Sequence, residues 1–155
     1  MKKLNFVILG VAMATFGCGG GANLVTGPDL LTYTATSQVT GNNPMRFSTT
    51  VVITNATTES ISFTPTCPLP RTLIYTNSSF TGTPVWDSQP RDAATCKNPA
   101  KVTLDVGKSV SYTLNGTGTE VLGSNGTAGS YYLVDEVTLD GVPYRVPAGQ
   151  LALAK

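Results

Sequence analysis

Apolar and polar residues alternate with a period of two along much of this chain, and the clearest run is Met45 to Phe63, MRFSTTVVITNATTESISF. Phe47, Thr49, Val51 and Ile53 share one face and Val52 the other, as in a strand with one face in a core. Asn55 to Ser60 is polar and predicts a turn, after which Ile61 and Phe63 resume the alternation. The segment therefore predicts a hairpin, and a lone hairpin is too small to be stable, so other strands must cover its apolar face.

Those strands are predicted on both sides of it. Leu30 to Thr40 sets Leu31, Tyr33 and Ala35 against a Thr and Ser face, and Gly41-Asn42-Asn43-Pro44 predicts a turn. Pro65, Pro68 and Pro70 predict that Thr64 to Arg71 is an edge or crossover segment, followed by a short strand over Leu73 to Asn77. A loop over Asn77 to Pro84, an apolar pair at Val85-Trp86 and a second loop over Ser88 to Ala100 come next. Lys101 to Val106 and Ser109 to Leu114 predict two strands about the bend Asp105 to Lys108, with Val110, Tyr112 and Leu114 on one face. Asn115 to Gly129 is glycine-rich and reads as a mobile loop. Tyr131 to Leu139 predicts a long strand, Asp140-Gly141 a two-residue hairpin turn, and Tyr144 to Val146 and Gln150 to Ala154 the last two strands. Asp135 shares a face with Leu133 and Val137, a conflict that a bulge turning it outward would relieve. Short strands spaced by turns predict an all-β fold, an immunoglobulin-like antiparallel β-sandwich of seven to nine strands over residues 30–155.

Composition agrees with that pattern. Thr and Val favour pleated sheet, and scattered Gly and Pro punctuate short elements. A length of 155 residues suits one domain. Charge is balanced, with 10 Lys plus Arg against 9 Asp plus Glu, so nothing in the field of the protein calls for a nucleic acid partner.

The amino end carries an address. Met1 to Gly21, MKKLNFVILGVAMATFGCGGG, opens on Lys2 and Lys3, continues through an apolar run from Leu4 to Phe16 and ends in small residues. A run of about 13 residues is too short to span a bilayer, which takes roughly 20, and it reads as a secretion signal. Thr15-Phe16-Gly17-Cys18 resembles the lipobox of bacterial lipoproteins, in which the cysteine is acylated and becomes the first mature residue. Gly17 and Cys18 match that pattern, while Thr15 stands where an aliphatic residue is commonest. The resemblance implies a signal peptide over residues 1–17, a lipidated flexible tether over 18–29, and a body held on the cell envelope by acyl chains at about 0.8 kcal/mol per buried CH₂. Gly19 rather than Asp after the cysteine implies the outer membrane. An ordinary secretory signal cut near Gly21, with Cys18 discarded, is the alternative reading.

A second resemblance lies in the body. Thr54-Asn55-Ala56-Thr57 through Ile61-Ser62-Phe63, Val85-Trp86, the run Leu104 to Tyr112 (LDVGKSVSY) and Gly129-Ser130-Tyr131-Tyr132 resemble the BsuPI family, small Ig-like domains named for an intracellular proteinase inhibitor. The likeness covers roughly Leu31 to Leu153. It implies an Ig-like fold and, through the family name, proteinase inhibition. The chain departs from the family where Val106-Gly107 replaces a Pro-Gly bend and a proline-rich stretch replaces the Gln-x-Tyr-Asp-Phe segment, and no inhibitory residue carries over to a matching position.

Candidate chemistry is sparse. With Cys18 acylated, Cys67 and Cys96 remain, and export predicts a disulfide between them, worth roughly 3 to 4 kcal/mol for a loop of about 30 residues. The chain has no histidine, which removes Ser-His-Asp and Cys-His catalysis and the commonest metal ligand. No catalytic residue, metal or cofactor is predicted. Asp135 and Glu136 are adjacent in a strand and point to opposite faces, and Lys108-Ser109 sits in a turn. Trp86 lies inside the bridged loop, where it reads as core filler near the disulfide or as an exposed stacking ring. Arg71 and Arg91 lie on proline-stiffened segments, and with Trp86 they form a candidate binding loop for another protein, a proteinase among the possibilities. The competing expectation is a structural or carbohydrate-binding sandwich that uses aromatics such as Tyr131 or Tyr132.

Overall fold

The computed structural model describes residues 25–26, 31–92, 95–97 and 99–155. The predicted signal peptide, Cys18 and all of the tether except Val25 and Thr26 lie outside the described residues. In chain order the elements are β1 (Val25–Thr26), β2 (Leu31–Asn42), β3 (Met45–Asn55), β4 (Ile61–Phe63), β5 (Pro65–Tyr75), β6 (Trp86–Asp87), α1 (Gln89–Asp92), β7 (Val102–Leu104), β8 (Ser109–Thr117), α2 (Gly118–Leu122), β9 (Gly129–Leu139) and β10 (Val142–Leu153). One antiparallel sheet runs β1-β2-β3-β8, a second β10-β9-β5-β6, and β4 pairs with β7. Eight of these strands are three residues or longer, which agrees with the predicted sandwich.

The alternation read along the chain is what closes the two sheets on each other. Leu31, Tyr33, Phe47, Val51 and Ile53 from the first sheet meet Ile74, Leu133, Val137, Val146 and Leu151 from the second in one buried cluster. Side chains of this size contribute roughly 1.5 to 3 kcal/mol each when removed from water. Tyr33 stacks on Tyr144 with ring centroids 4.8 Å apart, and the Ser37 hydroxyl donates to the Ala148 carbonyl, so β2 and β10 are tied along one side of the sandwich.

A bent ribbon organises the other side. β3 continues into β4, and β7 continues into β8, with β3 paired to β8 and β4 to β7. The bend falls at Asn55, which is completely buried. Its amide Nδ2 donates to the carbonyls of Glu59 and Leu104 at 2.7 and 2.9 Å, and its Oδ1 accepts from the Thr57 backbone N–H and hydroxyl. Its backbone N–H donates to Lys108 O, and its carbonyl accepts from Gly107 N, both at 2.9 Å. The backbone bond to Lys108 also sets the parity of the whole β3–β8 ladder. Asn55 and Lys108 form a hydrogen-bonded pair, so in this register Ile53–Val110 and Val51–Tyr112 do too, and the N–H and C=O groups of Ser109, Ser111 and Thr113 point away from β3.

Several predicted elements are corrected. Thr64–Arg71 is an edge stretch, as its prolines predict, since β6 pairs only with Leu73 and Ile74 and the ladder to β9 breaks between Thr66 and Arg71, where Pro68 and Pro70 have no N–H to give; what differs is that it is continuous with the strand after it, as β5. The last two predicted strands are one, β10, whose register shifts between Pro147 and Gly149 and so moves the inward face from Tyr144, Val146 and Ala148 to Leu151 and Leu153. Part of the predicted mobile loop is helix α2, closed by a capping box in which Glu120 N donates to the Thr117 hydroxyl and Thr117 N to the Glu120 carboxylate. Its Val121 and Leu122 are in the core. Gly118 is required there because a Cβ would collide with the Ala154 carbonyl.

Asp135 is not turned outward by a bulge. It is completely buried, and its carboxylate accepts from the hydroxyls of Thr49 on the opposite sheet and Thr72 on β5, the latter at 2.6 Å. Burial pushes its pKa up to about 6, against the opposing effect of the Thr49 and Thr72 hydrogen bonds. No cation contributes. The polar pair across the core replaces an apolar contact and leaves the carboxyl without a counter-charge.

Two outcomes follow from these buried polar groups. Asn55→Ala leaves the buried Leu104 carbonyl and the Thr57 backbone N–H without their partner and costs the Glu59 carbonyl one of its two donors, and chemical denaturation is expected to show a loss of roughly 3 kcal/mol. Because Asp135 titrates higher in the folded than in the unfolded chain, its stabilising contribution is complete below about pH 4 and is lost as pH rises through about 6, a difference of about 3 kcal/mol. Unfolding free energy measured against pH is expected to fall over that window in the wild type, and Asp135→Asn is expected to remove the fall.

Candidate functional site

Ser88 builds the site from within. Fully buried, it takes the Thr72 backbone N–H on its hydroxyl and donates its own N–H to Thr72 O, fixing the chain after β6 to β5. Its carbonyl then accepts from Arg91 N and Asp92 N, which starts the single turn of α1 and brings Arg91 over the end of the sandwich. The Cys67–Cys96 disulfide, with Cα atoms 5.8 Å apart, ties the chain after α1 back to β5, as predicted from the cysteine count.

Arg91 is held on every side. Its guanidinium lies 5.4 Å from the Trp86 ring centroid, and Trp86 in turn meets Phe47 edge to face at 6.3 Å. Nε donates to Asp92 at 2.6 Å, Nη1 donates to the Asn115 carbonyl at 3.0 Å, and Glu120 is 3.7 Å away. The hydrogen bond it donates to Asp92, with the charges of Asp92 and Glu120, raises the Arg91 pKa further, so it is a permanent cation. Trp86 thus takes the core-filler role and also carries Arg91.

Two concavities adjoin at this point. One of about 370 Å³ is bordered by Arg46, Phe47, Gly116, Thr117 and Glu120. The other, about 360 Å³, lies between Thr113 and Leu114 of β8, Leu69 and Pro70 of β5, and Thr95 and Cys96. Arg91 and Asn115 border both. Gly116 keeps the first open over Phe47, since a Cβ there would overlap the phenyl ring.

Arg71 is elsewhere. It lies in β5 on the outer face of the second sheet, where it donates twice to Asp87 at 3.0 and 2.6 Å and once to Glu136 at 3.1 Å, while Arg145 donates to the other oxygen of Glu136 at 2.9 Å. Asp87, Arg71, Glu136 and Arg145 thus form an alternating ladder across β6, β5, β9 and β10. The paired hydrogen bonds raise the Arg71 pKa and lower that of Asp87. The predicted binding loop is therefore divided: Trp86 and Arg91 come together at one end, and Arg71 is a strand residue engaged in the sheet.

Other candidates find structural places. Tyr131 is buried with its hydroxyl donating to Thr127 O, and Tyr132 is half-buried on the outer face. Asp135 points into the core and Glu136 outward, as their adjacency requires, and Lys108 and Ser109 are both exposed. A further concavity of about 440 Å³ lies at the far end by Ile61, Phe63 and the β9–β10 turn, where Asp140 already accepts from Thr64 N. Sequence reasoning missed Asn115, Glu120 and Arg46 as parts of the Arg91 site. The Thr117-Gly118-Thr119-Glu120 spacing of the capping box was the available signal for Glu120.

No family model matches this chain, and no curated protein matches it. Among solved structures it is similar to the putative ApaA protein from Bordetella pertussis, at 17% identity and a TM-score of 0.40 over 80% of this chain and 92% of that one. It is also similar to the structural-genomics target SoR45, at 11% identity and a TM-score of 0.37 over 81% of this chain and 87% of the other. Likenesses this distant say nothing about activity, and the sandwich rests on this chain's own pairing of strands.

Proposed function

We propose that this chain is a non-catalytic binding module, anchored on the bacterial cell envelope by acylation of Cys18, that takes another protein at the paired concavities around Arg91. The observation that supports it is a rigid, concave, cation-bearing surface built by Ser88, Trp86, the disulfide and the Asn115 carbonyl. A surface ordered before binding loses little conformational entropy on binding. Absence of histidine from the sequence supports the non-catalytic part of the reading. The specific version is proteinase inhibition of the BsuPI type, supported by the resemblance of residues 54–63, 85–86, 104–112 and 129–132. The lipobox-like Thr15-Phe16-Gly17-Cys18 supports the anchor, and Gly19 the outer membrane.

Palmitate labelling of the full chain in a lipoprotein-processing bacterium tests the anchor: label is expected on the wild type and absent from Cys18→Ser, and an unlabelled wild type contradicts it. A panel of serine proteinases incubated with the detergent-extracted protein tests the specific version. Inhibition is expected to weaken at least about tenfold in Arg91→Ala that still unfolds cooperatively. Arg71→Ala is expected to lower the melting temperature through the broken ladder and to leave inhibition intact. No inhibition of any proteinase contradicts the BsuPI version.

A further inference from the structure

We propose that the free edge of β8 is a strand-addition site that holds an extended, acidic segment of the partner protein. This rests on the reading of the chain as a protein-binding module and names how the partner is held.

The backbone argument comes first. β8 is the last strand of its sheet, and its pairing parity with β3 aims the N–H and C=O groups of Ser109, Ser111 and Thr113 outward. All three residues are exposed. The next outward carbonyl, that of Asn115, is already taken by a donor from outside the sheet, the Arg91 guanidinium. That contact closes one end of the edge, and among the described residues the outward donors and acceptors from Ser109 to Thr113 have no partner. Proteins usually blunt such an edge with charge, proline or a bulge. Here Ser109, Val110, Ser111, Tyr112 and Thr113 carry none of these.

The shape of the edge selects the occupant. Beside Thr113 the 360 Å³ groove has Leu69 and Pro70 of β5 against it and Thr95 and Cys96 as a further wall, the last held by the disulfide. A single extended chain can enter between that wall and β8. Charge selects the chemistry. Lys97, next to Cys96, Lys101 and Lys108 are exposed and make no ion pair among the described residues. Of the carboxylates nearby, Asp92 and Glu120 pair with Arg91, while Asp105 accepts from the Ser60 hydroxyl, keeps its charge and is outnumbered by the three lysines. An extended segment with Asp or Glu on its solvent side and apolar residues toward Leu69, Pro70 and Leu114 complements this edge.

The test uses the full detergent-extracted chain and a phage library of random dodecapeptides, followed by fluorescein-labelled copies of the selected sequences. Acidic, β-branched sequences are expected. Ser111→Pro removes the central outward donor and is compatible with an edge position, so it is expected to weaken binding at least about tenfold. Ser111→Ala keeps that donor and is expected to stay within about twofold of wild type. Should Ser111→Pro fail to fold, nuclear Overhauser contacts between the peptide backbone and residues 109–113 of the wild type decide the matter. Equal losses in both variants, or binding indifferent to Ser111→Pro, overturn the proposal. If such indifferent binding is abolished by Arg91→Ala, the protein-binding reading stands while the edge mode falls. A library that yields no binder overturns the edge mode, and so does a dimer in light scattering that Ser111→Pro abolishes, since that places a second copy on the edge.

Discussion

The buried amide of Asn55 is the constraint on which the rest of this structure depends. Where β3 passes into β4 and β7 into β8, the regular ladder is interrupted, and a bend of this kind leaves carbonyls inside the protein that water cannot reach. The Asn55 side chain satisfies the one on Leu104, also holds the carbonyl of the exposed Glu59, and gathers Thr57 with its oxygen. An apolar residue here would fill the space and leave those groups unpaired, at a cost exceeding what its burial returns. The same residue, through its backbone bond to Lys108, decides which groups of β8 face β3 and which face out. Fold and candidate surface meet in that choice.

Asp135 and Ser88, also inside the sandwich, are handled in the same way, by matching with neutral partners. Asp135 is matched by two threonine hydroxyls instead of a cation, and Ser88 by the backbone of Thr72. Charges are placed instead on surfaces where they can pair: the ladder from Asp87 to Arg145 crosses the outer face of the second sheet, and Arg91 covers Trp86 at the end of the sandwich. Both arginines are held by carboxylates, and Arg91 borders the two adjoining concavities. Its partners come from β6, α1, β8 and α2, so four elements fix the shape of that end of the sandwich.

How much of this was legible in the sequence follows from the range of the interactions. Period-two alternation identified the inward faces of β2, β3 and β9, because each strand must put every second residue into the core regardless of its neighbours. Cysteine counting identified the disulfide. Asp135 was misread because its two hydroxyl partners come from strands 86 and 63 residues away, and no local rule sees them. The prolines made Thr64–Arg71 legible as an edge stretch, while its continuity with Leu73–Tyr75 in one strand was not, because that continuity is a property of the pairing with β9. Helix α2 was hidden by the glycines around it, among them Gly118, which permits close approach to Ala154, although its capping box was written in plain spacing. The Arg91 site joins residues 46, 86, 91, 115 and 120, and that assembly exists only after the sandwich closes.

Amide hydrogen exchange along β8 in the free protein tests the central claim most directly. The bent ribbon held by Asn55 predicts alternate protection, with Val110, Tyr112 and Leu114 exchanging slowly and Ser109, Ser111 and Thr113 exchanging fast. Slow exchange at Ser109, Ser111 and Thr113, or the opposite alternation, would contradict both the register and the open edge derived from it.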